Sequence, residues 1–296
     1  MIFRNSFNKT ISIHSLVAGK SPKETAIFSG LASIPQIAFV LPLDTIKNCQ
    51  QINNTTFKDQ FYWLAQKGSR RFFQGFYASF LTVILSRSVG FGCQHLYYSM
   101  LKNKISHHQN TVGSSALAGA TKSVICLPLD NIKNTIQTMG VPNTRSYQNP
   151  TSTISILHEL YKSQGLKGFY RGLPNSMQKS ALGYSIWIPF RNWAEKTVPV
   201  PDKEMSQTIR HFVIGATAGI VTRWVIWPID KIKTQRQTTN ILQGKSTISA
   251  FKSIVKKEGF KLYRGIWTQC AGSVLSGAIF NMSWFLFQKN NQLSKD

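Results

Sequence analysis

The sequence predicts an all-α membrane protein in which six tilted helices cross the bilayer as three two-helix repeats. Three observations indicate this fold class: a proline motif that occurs three times, a glycine motif that follows each copy, and six apolar stretches. Because repeated motifs in register mark a repeat architecture, residues 1–296 are expected to form a single domain. We place the repeats at about residues 24–104, 111–198 and 207–290, after a basic N-terminal tail at residues 1–23.

The proline motif reads Pro-x-Asp-x-Ile-Lys and falls within each odd-numbered apolar stretch. Its copies begin at Pro42, Pro128 and Pro228, and a pair of small residues stands ten and nine positions before each proline. Proline breaks a helix in water, but in a membrane it produces a kink where neighbouring groups satisfy the freed backbone. The motif therefore predicts kinks at the same height in three helices, which would bring the helices together at one end.

The glycine motif contains a glycine, an aromatic residue, a polar or basic residue and a second glycine. Its copies end at Gly75, Gly172 and Gly265, at the start of each even-numbered apolar stretch. One copy of either motif would be weak evidence. Their joint occurrence in the same order three times indicates three copies of one structural unit.

Each repeat has two apolar stretches on either side of a polar connector. The odd-numbered stretches are residues 26–51, 113–137 and 208–237, and the even-numbered ones are residues 76–102, 173–196 and 266–288. A helix needs about 20 residues to cross a bilayer, so all six are long enough. Six core helices of a soluble bundle are the alternative, and apolar runs that end in charged segments argue against it. The connectors contain amphipathic patterns, as in residues 246–259, and these predict short surface helices on one membrane face.

The charged residues of the proline motif predict a ring of ion pairs. Residues three apart on a helix lie about 60° apart around its axis, so the Asp and the Lys of one motif face different neighbours. With three such helices around one axis, each aspartate meets the lysine of the next helix. The expected pairs are Asp44–Lys133, Asp130–Lys233 and Asp230–Lys47. Unpaired charges inside a membrane are costly, so pairing stabilises the ring, and a ring of moderate stability can act as a gate.

Together, the two motifs and the small-residue pairs resemble the mitochondrial carrier family, and the resemblance covers residues 24 to 289. It implies a pseudo-threefold barrel around a central cavity, in the mitochondrial inner membrane, with both termini facing the intermembrane space. It also implies that the ion-pair ring is a matrix gate and that solutes are exchanged by alternating access. The implied gate braces are Gln51, Gln137 and Gln237, and the implied cardiolipin-binding positions are Gly75, Gly172 and Gly265.

The charge balance is strongly basic, with 35 Lys and Arg against 11 Asp and Glu. Nucleic-acid binding is one interpretation of such an excess, and contact with anionic lipids and solutes is the other. In the implied topology, about half of the bases lie in the matrix-side segments, spread along membrane borders. This distribution favours inner-membrane lipid, including cardiolipin, and argues against a nucleic-acid partner.

Basic residues inside the spans predict an anionic substrate. The interior of the spans contains three aspartates, all matched by gate lysines, so further bases leave the cavity positively charged, and such a cavity attracts anions. The resemblance assigns substrate contacts to positions seven residues after the final motif glycine, which are Thr82, Lys179 and Gly272. The predicted substrate-binding residues are Lys179, Ser180, Arg223, Arg87, Thr82 and Lys122.

Two departures from the family pattern bear on function. The first repeat has Lys67 in place of an acid and Gln74 in place of a base. The family also has a second gate near the ends of the even helices, where this chain has Ser99, Arg191 and Gln288, and Glu195 could serve only once. Two functions are therefore expected: a carrier of a small anionic metabolite or nucleotide-like solute, or a non-transporting structural subunit of a larger inner-membrane respiratory complex.

The sequence argues against an enzyme. It contains no nucleophile–base set, no metal-ligand cluster and no glycine-rich phosphate loop. The four cysteines are scattered and are expected to be buried apolar residues in a reducing compartment. No cofactor, metal or catalytic residue is predicted.

Overall fold

The computed structural model describes residues 21–102, 104–142, 144, 153–201, 204–239 and 246–293. In these residues the regular structure is entirely helical. The α-helices are α1 (Pro22–Ala32), α2 (Gln36–Asn53), α3 (Phe57–Gln66), α4 (Phe76–Leu101), α5 (His107–Gln137), α6 (Thr153–Phe169), α7 (Leu173–Thr197), α8 (Glu204–Thr238), α9 (Thr247–Glu258) and α10 (Ile266–Leu293). Short 3₁₀ helices at Ser69–Phe73 and Gly259–Tyr263 precede α4 and α10.

The long helices pack side by side in chain order and close into a ring. α1 packs on α4, α4 on α5, α5 on α7, α7 on α8, α8 on α10, and α10 returns to α2. The three helices that carry the proline motif, α2, α5 and α8, also contact one another. The predicted all-α fold of three two-helix units is confirmed, with α1 and α2 together forming the first odd-numbered element.

The first odd-numbered stretch is broken, which corrects the expectation of one helix over residues 26–51. α1 and α2 meet at an angle of 71°. Ser33 ends α1, since both its backbone N–H and its Oγ donate to the carbonyl of Gly30, at 3.1 and 2.6 Å. Pro35 precedes α2 and has no backbone N–H with which to continue the helical hydrogen bonds of α1. The motif prolines Pro42, Pro128 and Pro228 lie inside continuous helices, and the kinks expected there stay a prediction.

Hydropathy separates the helices into two groups. By length and composition, three helices of the described residues are apolar enough to cross a membrane, at Ser69–Leu101, His107–Gln137 and Phe212–Thr238, and the bent pair α1–α2 would be a fourth span. The predicted spans in α7 and α10 do not reach this level. Lys179 of α7 and Ser273 of α10 line an internal cavity, and inward-facing polar side chains lower the mean hydropathy of a helix. The place of these two helices among the spans follows from their packing in the ring.

The motif glycines begin the even-numbered helices. Gly75, Gly172 and Gly265 stand at the starts of α4, α7 and α10 with φ of 75°, 78° and 86°. Side chains with a Cβ are disfavoured in this left-handed region, so glycine is required where the chain turns into the helix. The glycine motif is therefore explained by backbone geometry, independently of any lipid.

The connector helices pack at the ends of the proline-motif helices. Each contributes the apolar side of an amphipathic helix to a small buried cluster. The clusters include Leu64 with Ile46 and Cys49, Ile156 and Leu160 with Ile132 and Ile136, and Ala250 and Ile254 with Ile232. The three connectors are thus equivalent in packing, as the repeat predicts.

Gly119→Ala is expected to destabilise the barrel, whereas Gly113→Ala on the same helix is not. A Cβ at Gly119 would lie 2.4 Å from the backbone oxygen of Ser180, so α5 and α7 would have to separate. A Cβ at Gly113 would meet nothing within 4 Å. Overpacking costs about 1–3 kcal/mol, while alanine gains about 1 kcal/mol over glycine within a helix. Thermal unfolding of the purified protein tests this, and a Gly119→Ala protein as stable as Gly113→Ala would contradict the close crossing.

Candidate functional site

A polar cavity of about 300 Å³ lies inside the ring of helices. The four bases predicted within the spans all line it: Arg87, Lys122, Lys179 and Arg223. The six charged residues of the proline motifs line the same cavity at one end. A second lobe of about 210 Å³ lies beside it, and both lobes share Arg87, Lys122 and Arg223 in their walls. The structure therefore brings together charges from all three repeats.

The predicted ion pairs are present between the proline-motif helices. Lys133 Nζ lies 2.7 Å from Asp44 Oδ2, Lys233 Nζ lies 2.8 Å from Asp130 Oδ2, and Lys47 Nζ lies 3.1 Å from Asp230 Oδ2. The three pairs join α5 to α2, α8 to α5 and α2 to α8. This ring closes one end of the cavity, called the ion-pair end below, and ties the three helices into a triangle.

An amide layer adjoins the ion-pair ring. Gln51 Nε2 donates to Asp230 Oδ2 at 3.2 Å, beside the pair with Lys47, in keeping with the expected brace. Gln137 and Gln237 instead accept, at 2.6 Å each, hydrogen bonds from two asparagines. These are Asn48 and Asn134, which also bond to each other at 3.1 Å. In the described residues, Gln137 and Gln237 thus bond to asparagines and not to the charged residues of the ring. Their role as braces of the ring stays a prediction.

Sequence reasoning missed the two asparagines. Asn48 and Asn134 each stand six residues after a motif proline, directly after the motif lysine, and the third repeat has Thr234 at that position. A polar residue at the same motif position in all three repeats was the available signal. Both asparagines are buried, so their amides need partners, which the glutamines of the next helix provide.

Two arginines of the cavity are held against α10. Arg223 Nε donates to Ser273 Oγ at 2.9 Å, and Arg87 Nη2 donates to Ser276 Oγ at 3.2 Å. The Arg87 guanidinium also lies 4.6 Å from the centre of the Phe280 ring. Serine hydroxyls orient a guanidinium but leave its charge uncompensated. The two serines, three residues apart on one face of α10, were not predicted from the sequence.

The other predicted substrate contacts differ in position. Lys179 lies in the main cavity and forms an ion pair with Asp230 Oδ1, which the sequence did not predict. Ser180, beside it, is buried and also lines the main cavity. Thr82 lines the second lobe, with its hydroxyl donating to the carbonyl of Ala78 at 2.6 Å. Their predicted roles in substrate binding stay predictions.

A layer of aromatic side chains narrows the cavity at the end opposite the ion pairs. Phe91 of α4 stacks on Phe280 of α10 with ring centres 5.7 Å apart. The centre of the Phe91 ring also lies 6.3 Å from that of Trp187 and 6.4 Å from that of Tyr184, both on α7. A Cβ at Gly90 would lie 2.0 Å from Tyr184 Oη, so this glycine makes room for the tyrosine. One aromatic residue in each repeat, fifteen or sixteen residues after the motif glycine, was the signal in the sequence.

The family-type second gate is not formed by the described residues. Arg191 pairs with Glu195 on the same helix at 3.0 Å, so this pair does not join two helices. Arg210 of α8 donates to the backbone carbonyls of Glu195 and Val198, which fastens the end of α7 to α8. Ser99 bonds to its own helix at Leu96. The side chain of Gln288 lies outside the part of the chain that the structure describes.

Comparison with known proteins extends these observations. The family model for the mitochondrial carrier protein matches residues 105–199 and 204–291, which correspond to the second and third repeats. A probable mitochondrial 2-oxodicarboxylate carrier of Dictyostelium discoideum is 23% identical over 262 residues, 85% of this chain and 82% of that protein. The mitochondrial ornithine transporter 1 of Rattus norvegicus is 26% identical, over 81% of this chain and 85% of that protein. A mitochondrial nicotinamide adenine dinucleotide transporter of Arabidopsis thaliana is 30% identical over 54% of this chain and 46% of its own length.

Proposed function

The chain belongs to the mitochondrial carrier protein family, and from this premise we propose that it exchanges a small anion by alternating access. It is a multi-pass protein of the mitochondrial inner membrane and a transporter of small metabolites, not an enzyme. The named relatives handle an acid, a dinucleotide and a basic amino acid, so kinship leaves the sign of the substrate open. The charge of this chain's own cavity is the observation that carries the proposal.

The cavity has an excess of positive charge. Its three aspartates are matched by the three lysines of the ion-pair ring, and four further bases line the same walls. Charges in a cleft surrounded by the low-dielectric protein interior attract counter-ions more strongly than they would in water. An entering anion would therefore be favoured and an entering cation repelled, which supports a carboxylate or phosphate compound as the substrate.

Constrictions at both ends of the cavity support alternating access. The ion-pair ring with its amide layer closes one end, and aromatic side chains from α4, α7 and α10 narrow the other. Each closure consists of contacts between different helices, so each can open when those helices separate. The aromatic layer also supplies a second constriction where the described residues form no family-type gate. The alternative of a non-transporting respiratory-complex subunit depended on the lack of such a constriction. We therefore retain the carrier as the proposed function.

The proposed orientation places the ion-pair end toward the matrix and both termini toward the intermembrane space. The connector helices lie at the ion-pair end, and the segments that contain them, residues 47–75, 133–172 and 233–265, hold 18 of the chain's 35 bases, which suits a surface rich in anionic lipid. Cardiolipin is the proposed lipid at Gly75, Gly172 and Gly265. Each of these begins an even-numbered helix, whose free backbone N–H groups favour a phosphate.

Exchange by the protein reconstituted in liposomes tests the proposed function. We expect saturable uptake of labelled 2-oxoglutarate that requires an anion on the inside, because the binding cavity is lined by four more bases than acids. Ornithine is the matched cationic probe and should be exchanged poorly. Uptake of ornithine without uptake of any di- or tricarboxylate, phosphate or nucleotide would refute an anion carrier. Purification only as part of a large inner-membrane complex, without exchange, would favour the structural subunit.

A further inference from the structure

Asp230 has more donors than its two counterparts in the ion-pair ring. Its Oδ2 pairs with Lys47 and accepts a hydrogen bond from Gln51, and its Oδ1 pairs with Lys179. Among the described residues, Asp44 and Asp130 each pair with a single lysine. The Asp230 side chain is 3% exposed, against 26% for Asp44 and 18% for Asp130. The pseudo-threefold symmetry of the ring is therefore broken at this one carboxylate.

Lys179 is the residue that breaks the symmetry. It projects from α7, a helix that contributes no residue to the ion-pair ring. The equivalent positions in the other repeats hold Thr82 and Gly272. Its ammonium group crosses to α8 and meets a carboxylate that already has a lysine partner. Lys179, which is predicted to bind substrate, is thus already paired with a carboxylate of the protein itself, that of Asp230.

On the basis of the anion carrier proposed above, we propose that Asp230 fills the anion subsite at Lys179 in the empty cavity and that substrate must displace it. Asp230 is then an internal competitor for Lys179 and a determinant of specificity. When an anion takes Lys179, the ring keeps the Asp230–Lys47 pair but loses its tie to α7. Occupation of the cavity is in this way transmitted to one corner of the ion-pair ring.

The competition selects substrates with at least two acidic groups. When an anion with one carboxylate binds, its carboxylate only replaces that of Asp230 at Lys179, so the net gain in binding free energy is small. A second acidic group can reach Arg223, which stands seven residues before Asp230 on α8, about 10 Å along the helix axis. Arg223 is hydrogen-bonded to the neutral Ser273, so its charge is available to a substrate. A dicarboxylate or a compound with several phosphate charges gains this second contact.

Binding of 2-oxoglutarate to the purified protein, measured by calorimetry, tests the competition. Asp230→Asn should lower the Kd about tenfold more than Asp44→Asn or Asp130→Asn. All three variants remove one negative charge from the cavity wall, but only the first frees Lys179. The gain should disappear in the double variant Asp230→Asn/Lys179→Gln. The monocarboxylate 2-oxobutyrate should bind measurably only to Asp230→Asn.

A second pair of variants guards against a failure of Asp230→Asn to fold. Lys47→Gln leaves Asp230 with Lys179 as its lysine partner and should raise the Kd at least threefold more than Lys133→Gln, which removes the same charge elsewhere in the ring. The competition is refuted, while the anion carrier stands, if wild type binds 2-oxoglutarate and the three Asn variants have equal Kd values. Equal Kd values for Lys47→Gln and Lys133→Gln would refute it in the same way. If neither wild type nor any variant binds an anion, both proposals fail.

Discussion

Arg223→Gln is expected to reduce kcat/KM for exchange of 2-oxoglutarate by roughly a hundredfold, and Lys179→Gln by a smaller factor, because the substrate at Lys179 replaces the carboxylate of Asp230. Loss of a charged contact in a buried site costs about 2–5 kcal/mol, because the partner charge is left without compensation. Both side chains lie in the wall of the main cavity, and Arg223 is oriented toward α10 by Ser273. Initial rates of exchange in liposomes, measured over a range of substrate concentrations, give the ratio.

The matched control removes the same charge outside the cavity. Lys58 is exposed on the connector helix α3, so Lys58→Gln should leave exchange within about twofold of wild type. Comparable thermal unfolding of the three proteins would show that the loss is not one of folding. Exchange by both cavity variants at the rate of Lys58→Gln would remove Lys179 and Arg223 from the proposed substrate site.

Reversing one charge of the ion-pair ring is expected to cost about 3–5 kcal/mol of stability, and swapping the pair should recover part of this loss. Asp130→Lys leaves Lys233 facing a second lysine, and Lys233→Asp leaves two aspartates together, at a contact now 2.8 Å long. The double variant restores one charge of each sign between α5 and α8. Thermal unfolding of the purified proteins should therefore place the double variant above both single variants.

The recovery should be incomplete, because the local field favours an acid at position 130. Lys122 and Lys179 both act electrostatically on Asp130, and a lysine placed there would face these bases. The same swap at Asp44 and Lys133 provides a comparison at an equivalent corner of the ring. Equal loss of stability in the two single variants and the double variant would argue against direct pairing of Asp130 with Lys233.

The sequence by itself determined the repeat, the helical class and the partners in the ion-pair ring. Three copies of the proline motif fix three equivalent helices, and the spacing of Asp and Lys within each copy makes them face different neighbours. The pairing of Asp44 with Lys133 on the next helix then follows from helix geometry and from the cost of an unpaired charge in a membrane.

Only the tertiary structure decided which side chains of different helices meet and where the repeats differ. The tie between Lys179 and Asp230, the stacking of Phe91 on Phe280 and the bond between Asn48 and Asn134 each join residues far apart in the chain. Such contacts depend on how far one side chain reaches across the space between two packed helices, and helical spacing along one segment carries no information about that distance. Motif periodicity therefore determined what the repeats share, and packing determined where the symmetry is broken.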